Sequence, residues 1–380
     1  MGTPIRILYL IDEIESAAAG GTERQIFQMI RVLNQARSQP ELCALRGTGW
    51  LTEEEAGCPV RLCQVDRVRS ARGIARLWQL MKWMKQRKFD VVQTFFPESN
   101  LIGPILARLA GVRVILGSRR DLNYWMTGKF AMAQRVSNRF VTRLVANSQA
   151  VRDVIVRVEG VPSSQLEVLY NGIDLERFKP CPEQRTRIRA RLGLGKSDVL
   201  VGNVSNLRPV KGVLFFAKAA VQVARESPVS HFLFVGEGPL RPQVEAMIHE
   251  SGFSSRFHLV GRHRDVVPYL NACDAAVLSS ESEGFSNSLL EYMATGLPTV
   301  ATDVGGNREA LGEEGGILVP PGDAGALAAA IQALVGDPEK RARLSNCARE
   351  RAIRLFSAQD YGPRLVNLYK RLLSEHASAS

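Results

Sequence analysis

Short apolar runs and helix-length amphipathic runs alternate from one end of the 380-residue chain to the other. In the first half the apolar runs are Ile5–Ile11, Leu42–Arg46, Val60–Val65, Val91–Phe95, Val112–Gly117, Leu144–Asn147 and Glu167–Tyr170. In the second half they are Val199–Val204, His231–Val235, Phe257–Val260, Ala275–Ser279, Thr299–Thr302 and Ile317–Val319. Helical patterns such as Glu23–Asn34, Gly73–Gln86 and Ala324–Leu334 separate most of them. Strands alternating with helices predict parallel sheets with helices on both faces. Thirteen strands are too many for one open sheet. The break is expected between Asn171-Gly172-Ile173-Asp174 and Pro180-Cys181-Pro182, a connector rich in turn residues. The pattern therefore predicts an α/β protein of two Rossmann-like domains facing across a cleft. They would be residues 1–175 and 176–357, with a tail over 358–380 that is helical in pattern from Ala358 to Ser374.

Composition narrows the class. Hydrophobic residues make up 45% and charged residues 23%, as in a soluble globular protein. No apolar run approaches the ~20 residues of a membrane span, and the N-terminus runs directly into a strand pattern instead of a secretory signal. Six scattered cysteines form no C-x-x-C pair, so neither a zinc site nor a disulfide framework is expected. Reduced thiols suit a cytoplasmic location. The net charge is +11; residues 1–175 hold 24 Lys and Arg against 16 Asp and Glu, and residues 176–380 hold 25 against 22. The basic first half suits an anionic partner, or is a solubility charge with no target.

Glu283-Gly-Phe-Ser-Asn-Ser-Leu-Leu-Glu291 follows a strand pattern and opens a helix. A helix N-terminus offers free N–H groups and a partial positive charge to phosphate. A carboxylate on either side can accept hydrogen bonds from sugar hydroxyls, which suits a nucleotide-sugar. Arg208 and Lys211 follow the first strand of the second domain, where doubly wound sheets bind ligands. Two cations there can clamp a diphosphate; alone, they would be read as a solvated turn.

Weaker signals surround these. Gly236-Glu237-Gly238 lacks the third glycine of a dinucleotide fingerprint and reads as a structural turn. Gly261-Arg262-His263-Arg264-Asp265 ends a strand; Arg262 could stack on a nucleobase, or the loop is simply exposed. Gly20-Gly21-Thr22-Glu23 opens a helix, with glycines that permit close ligand approach and Thr22 as a cap. Ser118-Arg119-Arg120-Asp121 could receive an anionic acceptor, or is a surface basic pair. None of the five histidines lies in the first half, and only His263 falls in a promising loop. Arg67, Arg69, Arg72 and Arg76 lead into a basic helix holding Trp78, Met81, Trp83 and Met84. Such a helix could rest on an anionic membrane, each Lys or Arg near the surface contributing ~1 kcal/mol. Otherwise it packs its Trp and Met on the sheet.

Taken together, these motifs resemble the retaining glycosyltransferases of family 4, which have the GT-B fold. The resemblance runs from Gly20-Gly21-Thr22-Glu23 through Asn171-Gly172-Ile173-Asp174, Arg208 and Lys211, and Val235 to Leu240. It continues through Glu283 and Glu291 to Thr302-Asp303-Val304-Gly305-Gly306, and the Glu-x7-Glu segment is its most specific part. It implies that Glu283 lies by the donor sugar and Glu291 by the ribose. It also implies that Arg208 and Lys211 neutralise the diphosphate. Backbone amides of Gly284, Phe285, Ser286 and Asn287 would meet sugar and phosphate, and Gly20 and Gly21 the diphosphate. The C-terminal helix would cross back to the N-terminal domain. Two departures stand out. The common Gly-Arg-Leu is replaced by Ser205-Asn206-Leu207, and the stretch from Val92 to Glu98 lacks the usual histidine. Glu98 and Arg119 are the candidates to take over part of that role, with Arg120 beside them.

The resemblance implies a retaining, metal-independent glycosyltransferase of polysaccharide biosynthesis. It would move a sugar from a nucleotide diphosphate sugar, UDP first and GDP second, to a lipid-linked or polysaccharide acceptor. No Asp-x-Asp is present, so no metal clamp of that type and no other cofactor is expected. The expected partners are donor and acceptor, with peripheral contact at the inner face of a membrane and no nucleic acid. A nucleotide-sugar epimerase of GT-B fold and a non-catalytic sugar-nucleotide-binding partner are the alternatives. The histidine-free first half argues against the epimerase.

Overall fold

The structure, a computed structural model, describes residues 4–14, 20–47, 51–122 and 126–379. Its strands are β1 (Arg6–Ile11), β2 (Gln39–Ala44), β3 (Val60–Leu62), β4 (Val91–Thr94), β5 (Val114–Arg119), β6 (Arg143–Ala146) and β7 (Leu166–Val168), followed by β8 (Val199–Val204), β9 (Ser230–Val235), β10 (Phe257–Gly261), β11 (Ala275–Leu278), β12 (Thr299–Thr302) and β13 (Ile317–Val319). Every apolar run became a strand, with ends moved by a few residues. The largest shift is at β2, which starts at polar Gln39 because that residue pairs with Arg6 of β1.

Two compact units result: residues 1–171 with 359–380, and residues 172–358. The first holds a seven-stranded sheet in the order β3-β2-β1-β4-β5-β6-β7, the second a six-stranded sheet in the order β10-β9-β8-β11-β12-β13. All recorded pairings are parallel. Chain order reverses between β1 and β4 in one sheet and between β8 and β11 in the other. At such a switch point the loops beyond the strand carboxyl ends diverge and leave room for a ligand. The loops after β1, β4, β8 and β11 are therefore the ones that matter.

Apolar helix faces cover each sheet. In the first unit Ile26, Met29, Ile30 and Leu33 of the Gly21–Gln35 helix pack with Tyr9, Phe95 and Leu116. In the second, Phe216 and Ala220 of the Val213–Glu226 helix pack with Phe232, Phe234 and Val277. The C-terminal helix, Ala358–Ala379, runs five residues beyond its expected end at Ser374. Its Tyr361, Leu365, Tyr369 and Leu372 are buried in the core of the first unit. Tyr9 and Tyr369 hydroxyls are 2.9 Å apart, and Tyr369 also donates to Gln93 Oε1, whose Nε2 donates to Ser118 Oγ at 2.8 Å. Burial pushes both phenols up, beyond their ordinary range.

Candidate active site

The loops after β8 and β11 in the second unit are tied together. Lys211 Nζ donates to Glu283 Oε1 at 2.6 Å, and Ser280 Oγ donates to the same oxygen at 2.6 Å. Backbone bonds lie beneath: Ser279 Oγ donates to Lys211 O at 3.0 Å, and Glu281 N to Val210 O at 2.9 Å. Gly212 makes this approach possible. Its φ is +58°, and a Cβ there would lie 1.9 Å from Ser279 O. The Glu283 side chain is only 10% exposed and Lys211 29%, so their charges meet in a partly desolvated place. Arg208, three residues before Lys211, is exposed, and among the described residues no carboxylate pairs with it. One cation is thus paired and the other is exposed.

Ser286 then caps the Asn287–Thr295 helix by accepting from Leu289 N at 3.3 Å. Ser288 and Tyr292 anchor the helix to the end of β8. Ser288 Oγ donates to Val204 O at 3.0 Å, and Val204 N donates to Tyr292 Oη at 2.8 Å. The Tyr292 phenol is pushed up, beyond its ordinary range, by burial first. Phe285 is buried edge-on to Phe356, with ring centres 5.4 Å apart, and Gly284 O accepts from Gly306 N at 3.1 Å. Glu291, in the second turn, is 3% exposed. The turn from Gly284 to Asn287, its helix and Glu283 are therefore braced from several sides, and Glu291 is buried beside them in the same helix.

The remaining sequence candidates of this unit separate by role. Gly236 and Gly238 are structural: added Cβ atoms would lie 1.9 Å from Ser205 O and 2.4 Å from Leu207 O. Leu207 is buried beneath them, while Asn206, in the place of the family's Arg, is exposed. Arg262 is exposed at the end of β10. His263 braces its own loop: its Nε2 is 2.9 Å from Tyr269 Oη and 3.0 Å from Val260 O.

In the first unit the expectations need correction. Thr22 is not a helix cap. Gly20 occupies the N-cap position, Gly21 begins the helix, and Thr22 lies within its first turn. Arg119 is not a surface residue, and its guanidinium is committed to partners within the fold. Its Nε and one terminal nitrogen donate to Glu159 at 2.8 and 2.9 Å, and Asn138 accepts at 3.0 Å, all in a buried setting. Glu98 is occupied as well, accepting from Arg46 at 2.5 Å. Arg120 differs from both. It is half-buried, has Asn171 as its one side-chain partner among the described residues and, like Arg119, lines a cavity of about 110 Å³ with Thr22, Phe96, Asn100 and Ser118. Burial holds the Arg120 guanidinium below its usual value.

Asp12, after β1, escaped the sequence reading. Its carboxylate accepts from Glu98 N at 2.9 Å and Ser99 N at 2.6 Å, capping the Pro97–Leu109 helix. The protein's own acid thus occupies that helix N-terminus. Phe96, just before it, has φ +68°, a conformation that a bulky side chain rarely adopts. The signal available in the sequence was the Phe-Pro pair at the end of a strand. Among the described residues no three His, Cys, Asp or Glu side chains converge as a metal site.

Two family models match the chain: "Glycosyltransferase Family 4" over residues 19–177 and "Glycosyl transferases group 1" over residues 198–337. An Escherichia coli UDP-Gal:alpha-D-GlcNAc-diphosphoundecaprenol alpha-1,3-galactosyltransferase is 26% identical, the match covering 77% of this chain and 78% of that one. A Mycolicibacterium smegmatis GDP-mannose-dependent alpha-(1-6)-phosphatidylinositol monomannoside mannosyltransferase is 29% identical over 70% of this chain and 72% of its own. In fold, the chain resembles Anabaena Alr3699/HepE in complex with UDP. The TM-score is 0.85 at 22% identity, over 97% of this chain and all of the other.

Proposed function

Because the chain belongs to glycosyltransferase family 4, has the GT-B fold and is a glycosyltransferase using a nucleotide-sugar donor, we propose that it is a retaining, metal-independent enzyme with a lipid-linked or polysaccharide acceptor. The observation that carries the donor half is the 2.6 Å contact between Lys211 and Glu283 across two braced loops. When a donor binds, Lys211 and exposed Arg208 face the diphosphate, and Glu283 is released toward the sugar hydroxyls. The amides of Gly284 to Asn287 and the following helix N-terminus complete an electrostatic cradle for the leaving group. Glu291 takes the ribose, and Arg262 lies against the base. Gly20 and Gly21 let the helix they open approach the diphosphate.

The absence of Asp-x-Asp supports the metal-independent reading, since two cations and backbone dipoles can balance the charge that develops on the leaving phosphate. Residues 1–175 hold no histidine to act as base. This favours a front-face course in which the departing phosphate accepts the acceptor's proton while the new glycosidic bond forms on the side of the bond that breaks. UDP-sugars are the first donors to try, and GDP-sugars the second. Arg120 and its cavity are the acceptor candidates that keep their chemistry available. The Escherichia coli and Mycolicibacterium smegmatis relatives, whose names specify a diphosphoundecaprenol and a phosphatidylinositol acceptor, support a lipid-linked acceptor.

The test is transfer by an Arg208→Ala/Lys211→Ala double variant across a panel of UDP- and GDP-sugars. Loss of transfer by about 100-fold or more is expected; full activity would overturn the reading. The anomeric proton of the product, compared with that of the donor by NMR, tests retention. An unchanged rate in EDTA tests metal independence.

A further inference from the structure

The basic helix Ala71–Arg87 carries a surface that the donor site does not use. From Arg67 to Lys88 the chain has eight Lys and Arg and no Asp or Glu. Gly73, Leu80, Met81 and Met84 are buried and fasten the helix to its sheet. The two tryptophans, alike in sequence, have opposite fates. Trp83 is half-buried against the core, with the Arg61 guanidinium 4.8 Å from its ring centre and Phe89 edge-on at 5.3 Å. Trp78 faces out and is 55% exposed; Ile74, one turn earlier, is 59% exposed. Lys82, one turn later, places its ammonium 5.5 Å from the Trp78 ring centre. Lys85, two turns beyond Trp78, is exposed on the same side of the helix.

The helix does not need Trp78 or Ile74 for packing, since its inward face is already filled. Single exposed apolar residues are ordinary, but an aromatic and an isoleucine on one ridge with Lys82 and Lys85 are not. A nucleic-acid phosphate track would use the cations and the indole and leave Ile74 without a purpose. A surface with negative charge above and an apolar interior below uses all of them.

We propose that this face docks on an anionic lipid bilayer. Trp78 and Ile74 enter the boundary between headgroups and acyl chains, while Lys82 and Lys85 pair with lipid phosphates. The inference deepens the lipid-linked acceptor reading and rests on it for its purpose, but its test is independent of transfer. Full-length protein is sedimented with vesicles of phosphatidylglycerol and phosphatidylcholine in equal parts, and with phosphatidylcholine alone, without donor or acceptor. Binding to the anionic vesicles alone is expected, weakening in about 0.5 M salt as the charges are screened. Ile74→Ser/Trp78→Ser should bind at least about fivefold less tightly even at low salt, and Lys82→Glu/Lys85→Glu less again. Both should keep the wild-type circular dichroism spectrum. The Arg208→Ala/Lys211→Ala variant, whatever its transfer activity, should bind vesicles as the wild type does. Equal binding to both vesicle types, wild-type binding by the Ile74/Trp78 variant, or vesicle binding lost with Arg208 and Lys211 would overturn the proposal. So would stronger binding to a DNA duplex that depends on the same side chains.

Discussion

Lys211 and Glu283 form a 2.6 Å ion pair that closes the gap between the loops after β8 and β11, and Ser280 donates to the same carboxylate oxygen. The pair keeps the partly buried Glu283 carboxylate compensated. Lys211→Ala is therefore expected to lower transfer by about 100-fold through lost charge stabilisation. It should also reduce thermal stability, because Glu283 stays partly buried without its cation. Glu283→Gln should restore part of that stability in the Lys211→Ala background while restoring no activity. A double-mutant cycle read by both calorimetry and initial rates checks this.

Arg119 and Arg120 are adjacent in sequence and opposite in consequence. Arg119→Ala strands Glu159 as a buried charge and should cost about 3–5 kcal/mol of stability. Arg120→Ala removes a half-buried cation with one recorded side-chain partner and should cost about 1–2 kcal/mol. If the cavity receives the acceptor, Arg120→Ala should raise KM for acceptor and leave KM for donor unchanged. Urea unfolding and two-substrate kinetics separate the two residues.

Asp12 should make one helix sensitive to pH. Burial raises its carboxyl above the ordinary value of 3.8 against the pull of the two amides it accepts from. The folded state then holds the proton more tightly than the unfolded state. Its stabilising effect is complete below that ordinary value and is lost as pH rises through the raised one. Asp12→Asn, which still caps, should remove this slope and be near neutral in stability at pH 7. Asp12→Ala should cost about 1 kcal/mol at the helix start. Unfolding midpoints between pH 3 and 7 for the three proteins decide.

His231 and His258 give the opposite slope at the other unit's sheet. Their rings stack 5.6 Å apart, and burial, their first cause, lowers both below 6.5. Each is held neutral in the folded state and protonates more readily when unfolded. Stability from this pair is present above 6.5 and is lost as pH falls through the lowered values. His258→Gln should flatten the decline between pH 6.5 and 5 and leave donor binding unchanged.

The strands were readable from the chain because parallel strands buried on both faces are nearly continuous apolar runs. The donor loops were readable because their chemistry is local: Arg208, Lys211, Glu283 and Ser286 lie within two short segments, each following a strand. Arg119 was misjudged because its partner, Glu159, is 40 residues away and no periodicity links them. Asp12 was missed for the same reason: the amides it caps belong to Glu98 and Ser99. Trp78 and Trp83 were indistinguishable until Arg61 and Phe89, outside their helix, showed which one was claimed. Local chemistry is legible in a sequence; a pairing made by the fold is not.

The C-terminal helix sets an order of assembly. Tyr361, Leu365, Tyr369 and Leu372 complete the core around Tyr9, Phe95 and Leu116, yet they follow every strand in the chain. On the ribosome the six-stranded unit has all its strands and can close while the seven-stranded unit still lacks one wall. The first half to be synthesised is thus the last to be finished. A chain cut after Phe356 would leave Tyr9 and Gln93 without Tyr369 and expose an apolar trough to chaperones and proteases.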